Sequence, residues 1–394
     1  MPHSKKKPTN IGLVFLHTLA YYRRALRGVW RYALARPQWE LTSIVPEIGT
    51  LRFHQRLRPD GLIVTANTPA VEESLRSWRR PAVNVSAVIP GQRFPRVGVD
   101  NRRVGRLAAE HFIEIGVRHF AFVGPAQQVF SSERQEAFCD AVREAGADVE
   151  CYISKSSQGF DPLGLHWDLE PDVQRWLRKL AKPVGIFTPN DIWGVQVLMA
   201  CRRARLRVPD EVAVMGVDND SLYCEMTRPG LSSVIVPAEQ IGFEAVALLE
   251  RLLGGEKPPR EPLLLPPVGI RSRASSEILA IDDEQVAAAI RFIRQRAHLP
   301  LQVEDVLKHV PVGRRTLERR FRTRLGWGLA AEIQRTHLAL ARRLLAETEL
   351  SMQAVAIQAG FQDYRHMARV FRQQSDMTAT QFRATVRSPT RNPQ

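Results

Sequence analysis

Three apolar runs in this chain end in short clusters of carboxylates and amides. Val99 leads into Asp100 and Asn101, Phe187 into Asn190 and Asp191, and Val217 into Asp218, Asn219 and Asp220. Ionised carboxylates accept hydrogen bonds, and amides both donate and accept. Such a set suits a neutral ligand whose adjacent hydroxyls do both, with flat aromatic rings over its C–H face. Tyr21, Tyr22 and Arg23 follow the first apolar run and are candidates to close the site from another side; Trp193 is a further aromatic candidate. A structural role competes at each place. An Asp directly after a strand commonly caps the next helix, so Asp100 and Asp218 also read as N-caps.

A second chemistry is cationic and lies in the last fifth of the chain. Val303, Val306, Leu307 and Val310 share one helical face, Pro311–Gly313 breaks it, and Leu317, Phe321 and Leu325 point inward on the next helix. Arg314, Arg315, Arg319, Arg320 and Arg322 surround that second face. The pattern returns fifty residues on: Met352, Val355, Ala356 and Ala359, a turn at Gly360-Phe361, then Met367, Val370 and Phe371 beside Arg365, His366, Arg369 and Arg372. A basic helix presented twice at this interval suits two major-groove segments of DNA. Residues 282–394 hold 19 Lys and Arg against 11 Asp and Glu, and 18 of those cations are Arg, the side chain that binds guanine and phosphate bidentately. The whole chain carries +15, which favours a polyanionic partner.

Other chemistries lack their residues. No HExxH and no paired Cys/His spacing occurs, so no metal ligand is expected, and His17, His54 and His166 read as ordinary polar residues. GxSxG, a P-loop and a GxGxxG after a strand are all missing, so no catalytic residue and no cofactor are expected, and the chain reads as a non-enzyme. Cys139, Cys151, Cys201 and Cys224 form no CxxC and read as reduced thiols. The start, a basic run and a short apolar run broken by His17, reads as a tail and a buried strand rather than a leader. No run approaches the length of a membrane span, and the expected location is cytoplasmic, at the nucleoid.

The elements that must position these groups follow from the alternation of short apolar runs and amphipathic stretches. Strands are predicted at 11–16, 41–45, 61–65, 82–85, 96–99, 119–123, 149–152, 184–187, 212–217, 232–236 and 263–265. Helices at 22–35, 104–115, 134–145, 192–204 and 238–253 lie between them. Alternating βα units imply parallel, doubly wound sheets. At 394 residues the chain holds two or three domains. The divisions read are a basic tail at 1–9, an α/β domain at 10–273, a linker at 274–282, an all-α domain at 283–387 and a tail at 388–394.

Two resemblances sharpen this. The strings TLERRFRTRLG, LARRLLAETELSMQAVAIQAGF, ARVFRQQ and QFRATVR resemble the AraC-type DNA-binding domain, whose two helix-turn-helix motifs read adjacent major-groove segments. The resemblance makes 314–324 and 363–374 the reading helices, and Arg314, Arg315, Thr316, Arg319, Arg320, Asp363, Tyr364, Arg365, His366 and Arg369 the DNA-facing residues. Where that family has a Gly-x-Thr-Pro signature, this chain has Asp376 and Ala379. The strings RVGVDNRRVGRLAAEHFIEIGVRHFAFVGP and GIFTPNDIWGVQVLMACRRARLRVPDEVAVMGVDNDSL are similar to the effector domain of LacI-type repressors. That resemblance implies a two-lobed, periplasmic-binding-protein-like α/β domain with a ligand cleft. It gives ligand-facing positions to Asp100, Arg134, Trp167, Asn190 or Asp191, and Asp218, with Asn219 beside it. Arg134 as a surface charge and Trp167 as a core residue are the structural alternatives.

Together they imply a sugar-responsive transcription regulator. Its expected partners are double-stranded operator DNA, a small xylose-like sugar, RNA polymerase and a second copy of the chain, with no membrane. Another sugar or a purine as effector, and a sugar receptor or enzyme on the same fold, are the alternatives.

Overall fold

A computed structural model of the chain describes residues 8–15, 19–44, 59–75, 78–91, 93–126, 128–154, 171–277, 283–348, 350–374 and 378–387. It divides into two compact units, Met1–Ala280 and Ile281–Gln394.

The first unit opens with β1 (Thr9–Val14), α1 (Ala20–Ala33), β2 (Trp39–Ile44), β3 (Gly61–Val64), α2 (Pro69–Ser74) and β4 (Ala82–Asn84). It continues through β5 (Val97–Val99), α3 (Asn101–Glu114), β6 (His119–Pro125), α4 (Val129–Glu144) and β7 (Val149–Ser154). Next come α5 (Pro171–Lys179), β8 (Val184–Phe187), α6 (Asp191–Ala204), β9 (Val212–Val217) and α7 (Ser221–Met226). It closes with β10 (Ser232–Ile235), α8 (Ala238–Leu253), β11 (Leu263–Leu265) and β12 (Gly269–Arg271).

Two sheets result. The first has the order β2-β1-β3-β4, all parallel. The second has the order β12-β10-β9-β8-β6-β7 and is parallel except at β12, which runs antiparallel to β10. β5 pairs with β11 as a separate two-stranded parallel ribbon. β3, β8 and β9 are buried at every position, as strands covered on both faces must be, which is why they read as unbroken apolar runs. The antiparallel β12 corrects the expectation of purely parallel sheets. It is a three-residue, half-buried edge strand, too short to leave a periodic signal.

Helices are seated by aromatic packing and by glycine. Phe112 of α3 packs edge-on to Phe138 of α4, which lies tilted against Phe187 of β8, with ring centroids 6.3 Å and 5.1 Å apart. All three are fully buried, each contributing roughly 1.5–3 kcal/mol through area removed from water. α1 and α8 approach so closely that a Cβ at Gly28 would lie 1.8 Å from the Glu239 carbonyl oxygen, and one at Gly242 would lie 1.8 Å from that of Ala25. α4 begins at Val129, five residues before the expected start, because its N-cap, Gln128, makes no side-chain cap bond that a reader of the sequence would recognise.

The second unit is all helical: α9 (Glu284–Gln295), α10 (Val303–His309), α11 (Arg314–Leu325), α12 (Leu329–Glu347), α13 (Met352–Gln358), α14 (Tyr364–Gln374) and α15 (Ala379–Arg387). α10–α11 and α13–α14 are the two helix-turn-helix pairs, and α12 joins them. Val306, Val310, Leu317 and Phe321 are buried in the first pair; Val355, Ala356, Ala359, Met367, Val370 and Phe371 in the second. Gly326 ends α11 at φ 82°, and Gly360 turns between α13 and α14 at φ 76°, a region that favours glycine. A Cβ at Gly360 would also meet the carbonyl oxygens of Ala297 and Leu299 at 2.5 and 2.6 Å. α15 starts without the family's proline: Thr378 Oγ1 accepts from Gln381 N (3.2 Å) and Gln381 Oε1 accepts from Thr378 N (2.8 Å), a reciprocal cap. Asp376 lies outside the described residues. Among the described residues no helix is long and apolar enough to cross a membrane, and no His, Cys, Asp and Glu cluster is placed to hold a metal ion.

Candidate ligand cleft and DNA-reading helices

A cleft opens within the first unit at the carboxyl ends of strands from both sheets, where ligands of open α/β folds bind. Its non-atom space, open mouth included, is about 740 Å³. The first turn of α1 supplies Tyr21 and Tyr22, and the loop after β4 supplies Ser86. α3 supplies Asn101, α4 supplies Phe130 and Arg134, and the turns after β6, β8 and β9 supply Gln128, Asn190 and Asp218.

Arg134 is buried, and two of its nitrogens are held by the protein. Nε donates to Asn101 Oδ1 at 2.9 Å, Nη1 donates to the Pro189 carbonyl, and the guanidinium stands 5.1 Å from the Phe130 ring centroid. Burial pushes its pKa down, opposed first by the Asp218 carboxylate. Asp218 answers in kind. Burial raises its carboxyl to about 6, and the Arg134 and Arg24 guanidiniums limit the rise. Tyr21 donates from its hydroxyl to the Val85 carbonyl at 3.1 Å. Burial pushes both phenols up, Tyr22 to about 12, so both stay neutral donors.

The turn that carries Asp218 is held in an uncommon conformation. Asp218 has φ 102° and Asn219 φ 48°, positions that L side chains occupy at a cost of about 1–3 kcal/mol each. Asp191 sits beneath it, 2% exposed. Its Oδ2 accepts from Asp220 N at 2.7 Å, and its Oδ1 accepts from Ser233 Oγ at 2.5 Å. Burial, with the Asp218 charge second, raises Asp191 to about 8. Arg24 of α1 donates to the Asp218 carbonyl, tying the first sheet's helix to the second sheet's turn.

The sequence candidates therefore separate. Tyr21, Tyr22, Arg134, Asn190 and Asp218 come together around the cleft. Asp100 caps α3, accepting from Arg103 N at 3.0 Å, and it is the next residue, Asn101, that lines the cleft. Asn190 also caps α6 through Trp193 N. Asp191 supports the turn from below, and Asn219 belongs to the turn itself. Arg23 is exposed, 3.8 Å from the Asp220 carboxylate. Trp193 belongs to the hydrophobic core with Val197 and Leu231. Trp167 lies outside the described residues. Phe130 was not legible because the start of α4 was not; it stands one turn before Arg134 on the same face.

On the second unit, Arg315 and Arg319 of α11 and Tyr364, Arg365 and Arg369 of α14 are exposed, and Thr316 is half-buried. Arg319 sits between buried Leu317 and Phe321, and Arg369 between buried Met367 and Phe371, so the two occupy matching places. Arg320 has other partners: Nη1 reaches Asp283 Oδ1 and Oδ2 at 3.2 Å and Gln285 Oε1 at 2.7 Å, tying α11 to the start of α9. Arg314 pairs with Glu304 at 2.8 Å. Asp363 precedes α14 and accepts from His366 N at 2.7 Å, an N-cap geometry; the His366 ring packs edge-on to Phe361.

A family model described as a periplasmic binding protein-like domain matches residues 109–276, and one described as a helix-turn-helix domain matches 306–385. Effector cleft and doubled AraC-type reader on one chain define a ligand-responsive, DNA-binding transcription regulator. The xylose operon regulatory protein of Escherichia coli strain K12 is 30% identical over 383 residues, spanning 96% of this chain and 97% of that protein. The chain belongs to the family of xylose operon regulatory proteins. The Haemophilus influenzae member is 28% identical over 388 residues, spanning 95% of this chain and 97% of that protein. A solved structure of a xylose-binding transcription activator is similar at TM-score 0.71 and 28% identity, covering 96% of this chain and 99% of that one.

Proposed function

We propose that the cleft binds a xylose-like pentose and that the loaded protein activates transcription of genes for its use. The observation that carries this reading is the pairing of Arg134, a pure donor, with Asp218, an acceptor, in one cleft. Their charges offset, so the site favours a neutral ligand, and vicinal hydroxyls satisfy both at once. Asn101 and Asn190 add amide partners, and Phe130 offers a ring face to C–H groups. The names of the relatives point to xylose within that class.

The relatives are transcription regulators, which supports a non-enzymatic role. In our reading the protein acts in the cytoplasm as a homodimer assembled through the effector unit. Arg315, Arg319, Arg365 and Arg369 contact operator DNA, and the bound protein engages RNA polymerase. A calorimetric panel of xylose, other pentoses, hexoses and purines against the full chain tests the ligand. Saturable heat with xylose, weaker heat with its epimers and none with purines is expected; binding of a purine in place of every sugar contradicts the reading.

A further inference from the structure

The segment by which the chain leaves the effector unit is bonded into the sheet beside the cleft. Ser275 and Ser276 are buried, so this packing extends past Arg273. Ser275 Oγ donates to the Val214 carbonyl at 2.7 Å and accepts from Ser232 N at 2.8 Å. Ser276 Oγ lies 2.8 Å from Ser232 Oγ and 3.2 Å from His111 Nε2. Ser232 Oγ in turn accepts from Arg273 N at 2.7 Å.

Arg273 joins this segment to the turn carrying the cleft carboxylate. Its side chain is 11% exposed. Nη1 donates to the Leu231 carbonyl at 2.9 Å, at the start of β10, and Nη2 donates to Asn219 Oδ1 at 2.8 Å. Glu225 lies 3.8 Å from the same Nη2 and is exposed. Asn219 is the second residue of the strained pair, and its N–H donates to Ser233 Oγ at 2.9 Å, the hydroxyl that also bonds Asp191. The Asp218 side chain enters the cleft, and the Asp218 carbonyl accepts from Arg24 of α1. One short turn therefore touches the ligand space, the helix of the other sheet and the exit segment.

We infer that Arg273 is a positioning residue that carries the state of the Asp218 turn to the chain leading toward the DNA-binding unit. A ligand that hydrogen-bonds Asp218 shifts a turn held in a sparsely populated conformation, and such turns have discrete alternatives rather than a soft continuum. The guanidinium fork converts that shift into a changed hold on β10 and on residues 273–276. A lysine keeps the charge but loses the planar fork whose two arms reach the Leu231 carbonyl and Asn219 Oδ1. The inference rests on the proposed reading of the cleft.

The test is a coupling measurement on the full chain, with D-xylose and a duplex selected by this protein from random-sequence DNA. Operator affinity is measured with and without sugar, and sugar affinity without DNA, for wild type, Arg273→Lys, Asn219→Gly and the double variant. Glycine accepts the positive φ of residue 219, so Asn219→Gly removes the tie while relieving strain. In wild type the sugar shifts operator affinity by roughly 5- to 150-fold. Each single variant is expected to reduce that factor to less than about twofold, with the sugar affinity of Arg273→Lys without DNA within about threefold of wild type, and the double variant to be no worse than either, as one shared contact requires. Wild-type coupling in both single variants overturns the inference. Loss of sugar binding in the variants also overturns it, by making Arg273 a support of the ligand site alone. Absence of sugar binding in wild type overturns the reading of the cleft, and this inference with it.

Discussion

Arg134 Nε donates to Asn101 Oδ1 across 2.9 Å, so the cation of the cleft is aimed by the first residue of a different helix. Asn101 is itself fixed, donating to Glu133 Oε2 at 2.7 Å. Pre-aimed donors lose little freedom on binding, which makes Arg134 a strong contributor to affinity. Hydrogen bonds to charged groups contribute about 1.5–3 kcal/mol. Arg134→Met should therefore weaken sugar binding by at least about tenfold in calorimetry. Unchanged affinity would return Arg134 to a purely structural role.

Asp218 gives the sugar site a pH dependence. Its carboxyl is raised to about 6, chiefly by burial, and the acceptor form is the ionised one. Sugar affinity should be level above about pH 7 and decline as pH falls through 6. Folding stability runs the other way for this group. Because the folded pKa exceeds the ordinary 3.8, the folded state holds the proton more tightly between about pH 4 and 6, and stability contributed by Asp218 declines as pH rises through that window. Titration calorimetry at pH 5, 6, 7 and 8 checks the binding limb, and Asp218→Asn should flatten it.

The packing of α1 on α8 admits no side chain at two glycines. Gly28→Ala or Gly242→Ala would place a methyl 1.8 Å from a backbone oxygen, so the helices must part. Overpacking of this kind costs about 1–3 kcal/mol or more. Since α1 carries Tyr21 and Tyr22, sugar affinity should fall together with the denaturation midpoint. Gly146→Ala offers the contrast: open space surrounds that residue, and only its φ of 80° opposes the change.

In the DNA-binding unit, neighbours on α11 should behave differently. Arg319 is exposed, whereas Arg320 is tied to Asp283 and Gln285. Arg319→Ala and Arg369→Ala should each cost about 1–3 kcal/mol of operator affinity and relax specificity at separate positions. Arg320→Ala should lower the thermal midpoint instead. The nineteen residues of α12 span roughly 28 Å, close to one DNA turn, so footprints of the first two variants should differ at groove segments about one turn apart.

Much of this was legible in the sequence. β8, β9 and α8 have the boundaries their composition implies, because buried apolar runs and a long amphipathic face leave strong signals. The division between capping and lining was not legible. Asp100 and Asn101 are adjacent and chemically alike, and only the turn of α3 decides which faces the cleft. Of the alternatives Asn190 and Asp191, Asn190 lines the cleft as the N-cap, and Asp191, the first residue of α6, sits below it. Arg320 differs from Arg319 by one helical step, about 100°, and sequence spacing alone does not reveal Asp283 waiting beside it. The strained turn at Asp218 and Asn219 carries no glycine to announce it.

The account stands or falls on whether the cleft governs the reader. Fluorescence anisotropy of a labelled duplex, selected by this protein from random-sequence DNA, measures operator affinity for wild type and Asp218→Ala with and without saturating D-xylose. The expected result is a shift of roughly 5- to 150-fold in wild type, and none in Asp218→Ala, whose sugar-free affinity matches wild type. An equal xylose shift in both proteins, or none in wild type, would contradict it.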